Sequence, residues 1–79
     1  NTLTNVKVYS NMDNVYIINE NDLPIKTVEI YDIFGRTVYQ NTKSHQSKEM
    51  IHLPVASGTY VVRLLTADGV GTYKVNILK

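Results

Sequence analysis

The sequence contains no cysteine and no tryptophan, and only two prolines and four glycines among its 79 residues. Without cysteine, disulfide frameworks, thiolate zinc sites and cysteine nucleophiles are excluded. The compartment stays open, because a compact exported domain can fold without bridges. Runs of like charge are also missing: eight Lys/Arg against seven Asp/Glu leave a net charge of +1, spread along the chain. A nucleic-acid partner, which calls for a basic patch, is therefore not expected. Apolar runs such as Tyr60-Val61-Val62 fall far short of the ~20 residues that a membrane-spanning helix needs. The opening Asn1-Thr2-Leu3-Thr4-Asn5 has neither the basic nor the apolar region of a signal peptide and does not begin with Met. The chain is accordingly read as part of a longer protein.

The composition, 43% hydrophobic and 19% charged, is that of a globular domain rather than a disordered segment. The length allows one domain, spanning 1–79, with a thin core that buries roughly 60–65% of the unfolded surface. Period-two alternation is the dominant signal. Val6 and Val8 share one face of a first strand, and Val15 and Ile17 share one face of a second, across the turn Asn11-Met12-Asp13-Asn14. Asn19-Glu20-Asn21-Asp22 with Pro24 forms a loop, and a third strand over Thr27–Tyr31 points Val28 and Ile30 inward. Asp32-Ile33-Phe34-Gly35 reads as a hairpin loop, with Asp32 capping backbone amides and Gly35 supplying a positive φ.

A fourth strand, Arg36–Gln40, turns Val38 inward, and the polar stretch Asn41–Lys48 is expected to be mobile. A fifth strand, Glu49–Leu53, buries Ile51 and Leu53 and is stopped by Pro54. After a Ser57-Gly58 turn the sixth strand, Thr59–Thr66, buries Tyr60, Val62 and Leu64. Asp68-Gly69 signals a hairpin, and a seventh strand, Thr72–Leu78, buries Tyr73, Val75 and Ile77. No segment of ten residues holds apolar positions at helical spacing. Seven strands with turns every 8–12 residues predict a seven-stranded antiparallel immunoglobulin-like β-sandwich, with a small closed barrel as the competing architecture.

Catalysis requires convergent titratable groups, and few are present. His45 lies in the polar Asn41–Lys48 stretch and His52 on the outward face of the fifth strand, too far apart in sequence for zinc-ligand spacing. The serines at 10, 44, 47 and 57 lack a Gly-x-Ser-x-Gly elbow. Gly69-Val70-Gly71 lacks the third glycine and the helix of a phosphate-binding fingerprint and is better read as part of a hairpin. Asp13, Glu20 and Asp22 offer calcium-type ligands at loop positions, but Asn/Asp-rich turns are common without metal. The expectation is no enzyme, no metal and no cofactor. By alternation Tyr31, Tyr39, Met50, Val61, Leu65 and Leu78 point outward, enough for an apolar docking patch or for self-association.

Three blocks resemble a known family. Val28-Glu29-Ile30-Tyr31-Asp32-Ile33-Phe34-Gly35-Arg36 resembles its "V-x-I-Y-D-x-x-G-R" hairpin. Leu53-Pro54-Val55-Ala56-Ser57-Gly58-Thr59-Tyr60-Val61-Val62-Arg63 resembles its "L-P-x-G-x-Y-x-V-R" block, with two extra residues before Gly58. Tyr73-Lys74-Val75-Asn76-Ile77-Leu78-Lys79 resembles its final lysine-bearing alternating strand. The family is the C-terminal sorting domain of the type IX (Por) secretion system of Gram-negative bacteria. The resemblance covers essentially the whole chain. One departure stands out: the family's Tyr-Pro-Asn-Pro block appears as Tyr9-Ser10-Asn11-Met12, without either proline.

The resemblance implies an immunoglobulin-like domain at the C-terminus of a larger exported protein. Such domains carry their upstream cargo from the periplasm through the translocon to the outer-membrane surface or beyond. There a sortase-like peptidase removes many of them and joins the cargo to anionic lipopolysaccharide. The implied partners are the type IX machinery, that peptidase, the parent cargo and the lipopolysaccharide. The motif positions carried over are Tyr31, Asp32, Gly35, Arg36, Leu53, Pro54, Gly58 and Tyr60. Recognition is expected at the terminal strand, through Tyr73, Lys74, Val75, Ile77 and Lys79, because an edge strand offers unpaired backbone groups. A second expectation, of a different class, is an immunoglobulin-like adhesion or glycan-binding module stacking sugar rings on Tyr31 and Tyr39.

Overall fold

The computed structural model describes residues 6–19, 25–42, 48–66 and 69–79. Seven strands run in chain order: β1 (Val6–Asn11), β2 (Asn14–Asn19), β3 (Ile25–Tyr31), β4 (Thr37–Asn41), β5 (Lys48–His52), β6 (Gly58–Thr66) and β7 (Gly69–Ile77). They form two antiparallel sheets, β1-β2-β5 and β4-β3-β6-β7. The arrangement is a two-sheet sandwich, as the alternation predicts. The strand bounds shift by one to three residues: β3 begins at Ile25 rather than Thr27, and β7 at Gly69 rather than Thr72.

One core lies between the sheets. Val6, Val15, Ile17 and Ile51 enter it from the three-stranded sheet, with Leu53 just beyond β5. Ile25, Val28, Ile30, Tyr60, Val62, Leu64, Val75 and Ile77 enter it from the other sheet. Each fully buried aliphatic side chain contributes about 1.5–3 kcal/mol of transfer free energy; β2, β3, β6 and β7 each bury two or three hydrophobic residues and β1 and β5 one each. The pairing registers place inward residues opposite one another, Val28 with Leu64, Ile30 with Val62 and Tyr60 with Val75.

Two bulges break the alternation, and the first corrects an expectation. The β3–β4 register slips between Ile30, opposite Tyr39, and Tyr31, opposite Thr37. Val38 is the extra residue, so Val38 and Tyr39 both pack against the core, and Tyr39 does not point outward. A β-bulge puts two residues against one and resets the phase of the strand. The β3–β6 register slips again between Ile25 and Thr27. Counting back from Val28 by twos leaves Ile25 outward, yet it is buried while Lys26 is exposed.

The antiparallel order brings four segments to one end of the sandwich: turns 11–14, 32–36 and 53–57, and residues 78–79 after β7. There β1 and β7 approach across the sheets, with the Ser10 hydroxyl donating to the Asn76 carbonyl (2.6 Å) and the Leu78 N–H to the Met12 carbonyl (2.8 Å). The bulge at the start of β3 makes a direct prediction. Ile25→Ala lowers stability in denaturant titration by about 2–5 kcal/mol, whereas Lys26→Ala shifts it by less than about 0.5 kcal/mol. The reverse order indicates an unbulged strand.

Candidate functional site

The 32–36 hairpin is built around the Asp32 carboxylate. Its Oδ1 accepts the backbone N–H groups of Phe34 and Arg36, both at 2.9 Å, and its Oδ2 accepts Arg36 Nε at 2.8 Å. The Asp32 N–H donates to the Arg36 carbonyl (3.0 Å) and the Gly35 N–H to the Asp32 carbonyl (3.1 Å). Gly35 adopts φ +84° with open space around it, a backbone region that glycine enters without a Cβ penalty. The Arg36 backbone N–H, the Arg36 side chain and the Phe34 N–H together hold the Asp32 carboxyl below its ordinary range, against the opposing effect of desolvation. The turn is thus fixed by its own residues, and at its tip Ile33 and Phe34 are 70% and 77% exposed. The Arg36 guanidinium lies 5.6 Å from the Phe34 ring centre, within cation–π range.

The second block forms the β5–β6 connection. The Leu53 N–H donates to the Asp13 carbonyl (2.8 Å), tying the connection to the β1–β2 turn. A Val55 N–H to Leu53 carbonyl bond (2.8 Å) closes a three-residue turn around Pro54, whose ring presets a suitable φ. Tyr60 is buried near the start of β6, and its phenol donates to the Ala56 carbonyl at 2.7 Å. Gly58 opens β6 opposite Ile77.

In the third block the side chains of Val75 and Ile77 are core and Tyr73 is half-buried against it. Among the residues expected to carry recognition, Lys74 and Lys79 are the exposed ones. No strand pairs with the outer edge of β7 among the described residues. The end of that edge is nevertheless occupied, because the Asn76 carbonyl and the Leu78 N–H are bonded to the β1–β2 hairpin. The Lys79 N–H donates to Ser57 Oγ at 2.9 Å, fastening the last residue to the second block.

The first two blocks face each other across an open cleft of about 230 Å³, with Asp32, Ile33, Phe34 and Arg36 on one wall and Ala56 to Tyr60 on the other. Of the motif positions, Asp32, Arg36, Gly58 and Tyr60 line the cleft, Gly35 shapes its turn, and Leu53 and Pro54 support the opposite wall. Tyr31 is half-buried at the end of β3, donating its phenol proton to Glu29 Oε1 (2.7 Å), which raises the Tyr31 pKa above its ordinary value. Ile33 and Phe34 carry no role in the sequence reading. Their signal is two large apolar residues at the centre of a turn, where polar residues are usual.

Neither tyrosine expected to form a glycan platform is well placed, since Tyr39 packs on the core and Tyr31 is tied to Glu29. A different pair, Tyr9 and Tyr16, stacks on the outward face of the three-stranded sheet with ring centres 5.1 Å apart, and Met50 lies opposite Tyr16. Asp13 is engaged with His52 (Oδ2 to Nε2, 2.9 Å), while Glu20, Asp22 and His45 lie outside the described residues. No group of three or more metal-ligating side chains occurs among the described residues. Gly69, Val70 and Gly71 all belong to β7. At Met12, where the resembled family has its second proline, φ is +57°, a value the proline ring cannot reach.

The chain belongs to the family described as a domain of unknown function, DUF8694, whose model matches residues 1–77. No curated protein matches it.

Two outcomes test the hairpin. Gly35→Val destabilises the domain by about 1–2 kcal/mol in denaturant titration, because a β-branched residue resists positive φ. Asp32→Asn removes part of the acid limb of stability. The folded-state pKa of Asp32 is lowered, so its contribution is present above the unfolded carboxylate value near 3.8 and is lost as pH falls through the folded value. The melting temperatures of wild type and variant therefore differ at neutral pH and converge as the pH is lowered below that range. A constant difference down to the lowest pH removes the carboxylate from the account.

Proposed function

We propose that this domain is a C-terminal sorting domain that directs its parent protein through the type IX translocon across the outer membrane. The observation that carries the reading is the meeting of the three resembling blocks. Asp32 and Arg36 stand across one cleft from Gly58 and Tyr60, and the backbone of Lys79 is bonded to Ser57. Residues far apart in sequence thus compose one rigid end, which suits an address read by shape rather than a site that binds and turns over a substrate. The passage would run from the periplasm to the cell surface, with sortase-type processing and attachment to anionic lipopolysaccharide as the step that follows.

The immunoglobulin-like assignment belongs to the same proposal. Lettered A to G in chain order, the sheets are ABE and DCFG. Relative to the ABED and CFG sheets of a constant-type immunoglobulin domain, the fourth strand has changed sheets. The Tyr60 to Ala56 bond, at the start of strand F and reaching back four residues, has the form of a tyrosine corner. A second reading, an adhesion or glycan-binding module, is favoured by the stacked, half-exposed Tyr9 beside Tyr16. It expects oligosaccharide binding that Tyr9→Ala abolishes.

The sorting reading is tested with a folded periplasmic reporter fused ahead of this domain, in a host that carries a type IX system. The fused reporter should reach the cell surface or medium, while the reporter alone stays in the periplasm. Equal retention of both rejects the reading. Deleting Tyr73–Lys79 is a poor test, since it removes Val75 and Ile77 from the core. Lys74→Glu with Lys79→Glu changes only exposed positions and should lower export without moving the melting temperature. Normal export of the folded double variant excludes those charges from the signal.

A further inference from the structure

Four large apolar side chains, Met12, Ile33, Phe34 and Leu78, are exposed on turns at the same end of the sandwich. The Leu78 N–H to Met12 carbonyl bond joins two of them, and the 230 Å³ cleft begins beside the other two. None of the four belongs to the core cluster, so folding does not account for their apolar character. Clustered exposure of this kind marks an interaction surface more often than a scatter of single residues does. The backbone is unusual there as well. Met12 holds φ +57°, a conformation that a non-glycine residue occupies at a cost and that tends to occur at functional positions.

We infer that this end is the surface by which a protein receptor holds the domain, with the Ile33–Phe34 tip entering an apolar socket and a receptor side chain filling the adjacent cleft. The inference rests on the sorting reading above and names its recognition surface. Three observations define the partner's chemistry. The tip is preorganised by the bonds of Asp32 to its own turn, so little conformational freedom is lost on docking. An aromatic ring beside an arginine is the composition of an interface hot spot. Arg36 spends its Nε on Asp32 and remains 76% exposed, which leaves room for a receptor carboxylate at the rim of the socket.

A lipid surface fits less well. The charges at this end balance, Arg36 paired with Asp32 and the exposed Lys79 set against Asp13, which is hydrogen-bonded to His52, so they give little net attraction to anionic headgroups. A knob standing beside a hole calls for a shaped surface that supplies the opposite pair, and a bilayer has no such fixed relief.

The experiment uses the reporter fusion with three variants. Ile33→Ser with Phe34→Ser removes the tip. Ala56→Trp fills the cleft while keeping the carbonyl that Tyr60 needs. Met50→Ser removes an exposed apolar side chain from an outward sheet face elsewhere. The tip and cleft variants are expected to cut the export rate by about thirtyfold, the loss at the threshold for a truncated hot-spot anchor. Met50→Ser should leave export unchanged, and all three purified domains should keep the wild-type melting temperature. Wild-type export together with normal export of the folded tip variant overturns the inference and leaves the sorting reading standing. Retention of the wild-type fusion overturns both. Co-sedimentation of the wild-type domain with phosphatidylcholine–phosphatidylglycerol vesicles, lost in the tip variant, assigns the tip to lipid and overturns the protein receptor.

Discussion

A single small core, filled from both of two sheets, is the constraint on which the rest of this structure depends. No strand contributes more than three buried hydrophobic residues, β2 giving Val15 and Ile17, β7 giving Val75 and Ile77, and β4 only the half-buried Val38 and Tyr39. A one-residue slip in any strand exchanges its buried and exposed faces, and so small a core has no reserve with which to absorb that exchange. Register is therefore fixed strand by strand. Fixed register then determines how the ends of neighbouring strands line up. Tyr31 is opposite Val61, and Gly58 is opposite Ile77. The 32–36 hairpin, the β5–β6 connection and the last two residues are level with one another because the core beneath them allows no other alignment.

Local chemistry then stiffens that end. The Asp32 carboxylate closes one turn, the Asp13 carbonyl holds Leu53, the Ala56 carbonyl holds Tyr60, and Ser57 holds Lys79. Most of these bonds join a side chain to backbone or cross between segments, so each turn is braced either internally or by its neighbour. Loops on a rigid sandwich are common places for binding surfaces because the scaffold positions them without taking part. Here the bracing extends to the backbone that carries the exposed side chains Ile33, Phe34 and Leu78.

Alternation made most of the fold legible in the sequence, because each strand has one buried face and period two reports it directly. Val28, Ile30, Ile51, Leu53, Tyr60, Val62, Val75 and Ile77 are all buried as read. Tyr39, expected outward, packs against the core because a bulge at Val38 adds a residue, and the start of β3 at Ile25 lies beyond a second bulge; no composition marks an inserted residue in advance. Gly35 was legible because its turn leaves few other residues able to take φ +84°. The cleft was not. It needs β3 and β6 to be neighbours, a non-local pairing that neither block encodes by itself. Ile33 and Phe34 were passed over for a related reason: turn rules weigh backbone conformation and say little about exposed side chains in central positions.

Under the sorting proposal, the geometry also bears on where such an address would be read. A receptor that gripped the terminal strand by its alternating side chains would have to draw Val75 and Ile77 out of the core. Each costs about 1.5–3 kcal/mol in lost burial, which together is a large part of the 5–15 kcal/mol that typically separates native from unfolded states. The backbone edge of β7 escapes that cost, but Ser10 and Met12 already occupy its last bonding positions, which shortens the edge on which a receptor strand can add. Docking at the braced end disturbs neither the core nor the ladder. Reading Val75 and Ile77 therefore requires at least local unfolding, whereas reading the exposed Lys74 and Lys79 or the braced end requires only the folded domain. The second route is the one compatible with a domain whose three resembling blocks come together only when it is folded.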